Sequence, residues 1–229
     1  GDAVRAAGAK VLLSQGAGFE PWLAGLLANA DGGARVVDTT AGLPLRQGEG
    51  EDAGGADPHT WLDPVLFAQQ SRRVEEAMAA AFPEHAEAFR TRGEALRDDL
   101  ARLDADFEAG LAGCELGLVI ANHDAYGYLA ARYRFEVVAI SGLSPEAEPS
   151  PEALAHAVDV ARRHNVTVIF FEELASPRVA QVVAQEVGAS TRVLSPVEGL
   201  DDEARAQGKD YVTLMRENLA GLREAMRCP

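Results

Sequence analysis

The feature that most constrains the fold is the rhythm of the second half of the chain. After Gly113, short apolar runs alternate with segments of helical periodicity. Residues 116–121 (LGLVIA), 136–141 (EVVAIS), 166–171 (VTVIFF) and 191–194 read as strands. Residues 124–133, 152–164, the stretch from Ser176-Pro177 to Val187, and 210–227 read as helices. Runs this apolar have no solvent face, and strands joined by helical crossovers pair in parallel. The expected class is α/β, with parallel-rich sheets covered on both faces.

The first half is more mixed. Residues 9–14 (AKVLLS) read as a buried strand, and Gly16-Ala17-Gly18 as a turn. Glu20-Pro21-Trp22 opens a helix to about residue 29, with Pro21 suited to a first helical turn. RVVD at 35–38 is a second strand, and 40–56 is a Gly, Glu and Asp loop with few apolar anchors. A helix over 63–82 stops at Pro83. A second long helix covers 84–111, with Phe89, Leu96, Leu100, Leu103, Phe107 and Leu111 as a core-facing stripe. The expected organisation is an N-terminal lobe over 1–83, a linking backbone helix over 84–112 and a C-terminal lobe over 113–229. The first residues read as the tail of a helix entering a strand, so the N-terminal lobe is expected to be incomplete.

Twenty-one Lys and Arg against 36 Asp and Glu leave a formal charge of −15. Such a chain repels a phosphate backbone, which argues against nucleic acid as a partner. An acidic field draws in cations, although its usual role is solubility. No apolar stretch is long enough to span a bilayer, and no signal peptide is visible at Gly1. The two cysteines, Cys114 and Cys228, leave the redox compartment open.

Five histidines are candidates for chemistry. His85 and His164 sit among helix-start and charged residues and read as solvated surface groups; His156 lies mid-helix and reads as a surface or half-buried structural group. His59 stands between two Asp-Pro pairs in Asp57-Pro58-His59-Thr60-Trp61-Leu62-Asp63-Pro64, at the mouth of a helix. His123 ends an apolar run and opens another helix. Taken singly, His59 suits packing on Trp61 and His123 suits helix capping. Taken together, they lie on either side of the long helix, and ligands of open α/β sheets gather at strand carboxyl ends. Two neutral imidazoles from two lobes would make a borderline-soft metal clamp best suited to zinc.

The octapeptide 57–64 resembles the DPHxWLDP signature of the zinc/manganese ABC-transporter solute-binding proteins (cluster A-I). Asn122-His123-Asp124-Ala125-Tyr126-Gly127-Tyr128-Leu129 is similar to that family's second motif, and Gly16-Ala17-Gly18-Phe19-Glu20-Pro21-Trp22-Leu23 to its GxGxEPWL turn. Phe170-Phe171-Glu172 with Ser176-Pro177, and Asp210-Tyr211 through Met215 to Asn218, extend the resemblance along essentially the whole chain. It implies two α/β lobes with parallel-rich sheets joined by one long rigid helix, the metal site between the lobes, and His59 and His123 as metal ligands. It implies a non-enzymatic monomer outside the cytoplasmic membrane, in the periplasm or anchored at the cell surface. There it would capture Zn²⁺ and deliver it to an ABC permease for high-affinity import. Export in turn implies a Cys114–Cys228 bridge.

Two departures from the family pattern stand out. The family takes another ligand histidine from a loop upstream of 9–14, where this sequence has no matching residues. Its acidic Leu-Asp-Pro segment is here Leu194-Ser195-Pro196, and a hydroxyl is a poor zinc ligand; water or Glu198 are the alternatives. Manganese members tend to place a carboxylate where His123 stands, which favours Zn²⁺ over Mn²⁺. Asp124 and Glu172 are expected either to orient a ligand imidazole or to serve as a helix cap or surface ion pair. The acidic loop, with Glu49, Glu51 and Asp52, either attracts cations weakly or is a solvated excursion. Alternative readings are a manganese-specific homologue, an adhesin-like module with an incomplete site, and a metallohydrolase using His59, His123 and Glu172 with Glu173 as base. The last lacks any HExxH-like motif.

Overall fold

A computed structural model describes residues 8–28, 34–48, 55–144, 148–174 and 176–229. The expectations for the first seven residues and for Glu49, Glu51 and Asp52 fall outside these. Among the described residues the chain divides into two compact units, one built on the segment up to Gln47 with Gly55–Ala101, the other on Arg102–Pro229.

The first unit holds β1 (Val11–Ser14), α1 (Leu23–Ala28), β2 (Arg35–Asp38), α2 (Pro64–Ala81) and most of α3 (Ala86–Gly110). The unit boundary falls inside α3, so this 25-residue helix contributes to both units. β1 and β2 pair in parallel, from Val11 opposite Arg35 to Ser14 opposite Asp38. Asp63 caps α2, accepting from the N–H groups of Val65 (2.8 Å) and Leu66 (3.2 Å), and Pro64 fills the first helical position. Pro83 stops α2 and begins a 3₁₀ turn, Pro83–His85, that leads into α3. The apolar stripe on α3 is core only in its second half. Leu100, Leu103 and Phe107 are fully buried, whereas Phe89 and Leu96 are half-buried and line an apolar cavity of about 480 Å³ with Leu13, Phe67, Val74 and Met78.

The second unit contains β3 (Leu118–Ala121), α4 (Gly127–Tyr133), β4 (Glu136–Ala139), α5 (Pro151–His164), β5 (Val168–Phe171), α6 (Arg178–Val187), β6 (Ser190–Val193), α7 (Asp202–Ala206) and α8 (Tyr211–Ala225). The strands form one parallel sheet in the order β4-β3-β5-β6. One core cluster joins Ile120, Val138, Ile140 and Ile169 of the sheet region to Ala157, Val160 and Ala161 of α5 and to Ala180, Val183 and Ala184 of α6. On the other side α8 comes close enough that a Cβ at Gly221 would sit 3.1 Å from Arg192 Nε and 3.4 Å from Phe170. The parallel α/β class expected from the sequence is the one observed.

Three local details depart from expectation or extend it. The helix expected over 124–133 begins only at Gly127, because Asn122 and Asp124 continue main-chain pairing past the strand: Ser141 N–H donates to Asn122 (2.9 Å) and Asp124 N–H to Gly142 (3.0 Å). α7 was not anticipated; its five residues are too short to show periodicity, and Asp201 caps it at Ala204 N–H (2.6 Å). The Cys114–Cys228 disulfide is present and links the beginning of the second unit to its end.

Candidate metal centre

In the first unit, the carboxyl ends of β1 and β2 carry the loop that bears His59. Gln15, just past β1, donates through Nε2 to the carbonyl of Pro58 (2.8 Å) and to Thr60 Oγ1 (3.0 Å). Gln70 of α2 donates to Gln15 Oε1 and to Thr39 Oγ1, each at 3.0 Å, and accepts from Thr60 Oγ1 at 3.1 Å. Gln70, Thr39 and Thr60 are buried, so these mutual bonds satisfy groups that water does not reach. The Gly16–Trp22 turn braces the same strand end. Glu20 accepts from the N–H groups of Gln15 (2.6 Å) and Gly16 (3.1 Å) and from Ser14 Oγ (3.1 Å). Gly16 has φ +80°, and a Cβ there would lie 2.0 Å from Asp38 Oδ1, so no other residue fits.

Held in this frame, His59 precedes a 3₁₀ turn, Thr60–Leu62, rather than the α-helix itself. Asp57 Oδ1 accepts the His59 backbone N–H at 3.0 Å and lies 2.8 Å from its Nδ1. The ring also leans on Trp61, with centroids 5.2 Å apart. The ring is thus both packed on Trp61 and held by the Asp57 carboxylate. The first Asp of the octapeptide orients the histidine; the second caps the helix.

In the second unit, His123 is the second residue after β3 and does not open α4, which starts four residues later. Glu172 follows β5, the neighbour of β3. Sheet order β4-β3-β5-β6 reverses between these two strands, and such a reversal leaves a crevice at their carboxyl ends. His123 and Glu172 occupy that position. Both are buried, and Glu172 Oε1 pairs with His123 Nδ1. The opposite ring nitrogen, Nε2, lies 3.9 Å from Oε1 of Glu198.

Ser195 is not a ligand-like group here. Its hydroxyl donates to Glu173 and accepts from the N–H of Val197 (3.1 Å). Its own N–H and carbonyl are held by Asn218, at 2.8 and 2.7 Å. Val197 takes a left-handed φ of +56°, costly for a β-branched residue, and Glu198 comes next in the chain. Ser195 thus builds the turn that delivers Glu198. Glu173, the base of the hydrolytic alternative, is engaged by that same hydroxyl. Burial first, and then the charges of Glu172, Glu173 and Glu198, push the Tyr126 phenol far above its ordinary pKa. The neutral hydroxyl donates to the Leu194 carbonyl at 2.5 Å. His85, His156 and His164 are exposed, as expected.

The family profile described as ZnuA, zinc-uptake complex component A periplasmic, matches residues 1–225. The chain belongs to this family. It is 37% identical to the high-affinity zinc uptake system protein ZnuA of Bacillus subtilis over 206 residues, which cover 85% of this chain and 65% of that protein. The chain thus spans less than two thirds of that curated relative's length. The solved Zn(II)-bound ZnuA-like domain of Streptococcus pneumoniae AdcA superposes with a TM-score of 0.82 at 30% identity, over 98% of this chain and 82% of that one. The laminin-binding protein Lmb of Streptococcus agalactiae, described as bifunctional with adhesin and metal-transporting activity, gives 0.86 at 26% identity over 98% and 83%.

Membership in the family makes the two-unit α/β fold intelligible, and the geometry adds residues that the sequence left open. Glu172 was one of two candidates to orient an imidazole, and its carboxylate pairs with His123 Nδ1. Glu198 was an alternative to water and faces Nε2. Asp57, whose side chain holds His59, was not singled out by itself. Its spacing, two residues before the histidine, was the available signal.

Proposed function

We propose that this chain is the solute-binding component of a zinc importer. Outside the cytoplasmic membrane it captures Zn²⁺ as a monomer and hands it to an ABC permease. The ligands in this reading are His59, His123 and Glu198, with the zinc bound as cargo. The observation that carries it is the His123 environment: a buried imidazole with Nδ1 on a carboxylate and Nε2 facing a second carboxylate. Nitrogen-rich ligation with one carboxylate suits Zn²⁺ better than Mn²⁺. Family membership and the zinc names of its relatives support the same reading. Among the described residues no helix is long and apolar enough to cross a membrane.

Calorimetry on the metal-stripped protein tests this. His59→Ala, His123→Ala and Glu198→Ala each weaken zinc binding, and exposed His164→Ala does not. Equal affinity across all four variants would sink the ligand assignment. Tighter binding of Mn²⁺ than Zn²⁺ by the unmodified protein would overturn the choice of cargo.

A further inference from the structure

We infer that Glu172 is a positioning residue for zinc capture, one that sets the tautomer of His123 before any metal arrives; this rests on the ligand assignment above. A neutral imidazole carries one proton on two nitrogens, and only the bare nitrogen can bind a metal. In water the proton of a histidine side chain prefers Nε2, which would block the nitrogen that faces Glu198. A carboxylate on Nδ1 reverses that preference, because it accepts a hydrogen bond only from a protonated nitrogen. Glu172 occupies this place on His123, with both side chains buried. Away from water, the alternative tautomer would set two acceptors against each other, a costly arrangement.

The same device recurs independently in the other unit. Asp57 Oδ1 sits 2.8 Å from Nδ1 of His59, which likewise favours the proton on Nδ1 over Nε2. Asp57 is additionally fixed by the backbone N–H of His59, whereas Glu172 reaches its histidine from a different strand, 49 residues away. Both imidazoles are therefore preset by a carboxylate, and Glu172 is the one that can be altered without removing a backbone contact of the histidine itself. The adjacent Glu173 is tied to Ser195, so the backbone around Glu172 is anchored from its other side. Glu172 acts through His123 and is not assigned as a zinc ligand.

The experiment has two readouts. Long-range ¹H–¹⁵N correlation NMR of the metal-free protein at neutral pH reports which nitrogen of His123 carries the proton. The unmodified protein shows the proton on Nδ1, Glu172→Leu shifts it toward Nε2, and Glu172→Gln, whose amide oxygen still accepts from Nδ1–H, keeps it on Nδ1. Zinc affinity follows the same order, with a loss of roughly 10- to 100-fold for Glu172→Leu and a smaller loss for Glu172→Gln. A His123 proton on Nε2 in the unmodified protein overturns the inference, and needs no variant that must fold. So does a Glu172→Leu protein with unchanged tautomer and unchanged affinity while His123→Ala loses zinc. If His123→Ala leaves zinc binding intact, the ligand reading fails instead, and the tautomer result stands or falls by itself.

Discussion

The two units hold their histidines in different ways. In the first, orientation is local. Asp57, two residues before His59, takes both its backbone N–H and its Nδ1, and Asp63 caps the helix that ends the loop. In the second, orientation is tertiary. Glu172 reaches His123 because β5 lies beside β3, and Glu198 approaches only through the turn built by Ser195 and Val197. A local device survives as long as its loop is tethered. A tertiary one depends on the whole sheet keeping its order. The second unit is accordingly the one closed by a covalent link from its beginning to its end.

That contrast can be broken most forcefully at the disulfide. Replacing Cys114 and Cys228 with Ser removes a cross-link over a separation of 114 residues, for which the chain-entropy estimate is about 4–5 kcal/mol. Both tryptophans, Trp22 and Trp61, belong to the first unit. In urea, helix loss measured by circular dichroism should move to lower denaturant, while the tryptophan emission transition stays in place. Coincident shifts of both signals would mean that the two units unfold as one.

In the first unit the corresponding weak point is polar. Gln70→Leu deletes three hydrogen bonds and strands buried groups of Thr39 and Thr60 and a half-buried one of Gln15. The expected loss is about 3 kcal/mol, since each stranded group costs about 1–3 kcal/mol. Here the tryptophan transition should move. An unchanged transition would show that the His59 loop does not need its tether.

The comparison sharpens at the histidines themselves. His59→Ala and His123→Ala should each lower zinc affinity on the order of 100-fold, about 2.8 kcal/mol. Asp57→Ala should weaken zinc and also destabilise the loop, because it frees a backbone N–H. Glu172→Leu should act chiefly on the metal. Calorimetry paired with thermal unfolding separates the two cases. Identical profiles for the two variants would erase the distinction between local and tertiary orientation.

The smallest expected effect is on acid stability. Burial raises the Asp104 carboxyl, but hydrogen bonds from Arg132 and Tyr133 and the Arg132 charge outweigh it and bring the group below its ordinary value of 3.8. Asp210 is lowered as well, chiefly by the backbone and side-chain bonds from Thr213 that cap α8. A depressed carboxyl stabilises fully above its unfolded pKa, and the contribution fades as pH falls through the folded value. Both groups lie in the second unit, so its stability should decline below about pH 4. Asp104→Asn should flatten that decline in acid titrations followed by circular dichroism. An unaltered acid limb would remove Asp104 from the explanation.

Much of this was legible from residues and spacing. The runs after Gly113 located β3 to β6 within two residues; β3 and β5 stand out because central parallel strands buried on both faces must be apolar throughout, whereas the edge strands β4 and β6 are partly exposed. RVVD and the Asp63-Pro64 helix start were found because their signals are local. The start of α4 was misplaced, since the bond from Asp124 N–H to Gly142 is invisible without knowing that β4 lies beside β3. α7 was missed because a five-residue helix has no period to detect.

By itself, the sequence determined the parallel α/β class, the boundaries of the elements it found to within a few residues, and the family. Those follow from burial patterns and from contacts two to four residues apart, which spacing encodes. Only the tertiary structure decided what holds and faces His123. The pairing of Glu172 with His123, the approach of Glu198 to its Nε2, and the Gln15–Gln70 tether of the His59 loop all join residues distant in the chain. Strand order and backbone turns bring such partners together, and no interval in the sequence records that order.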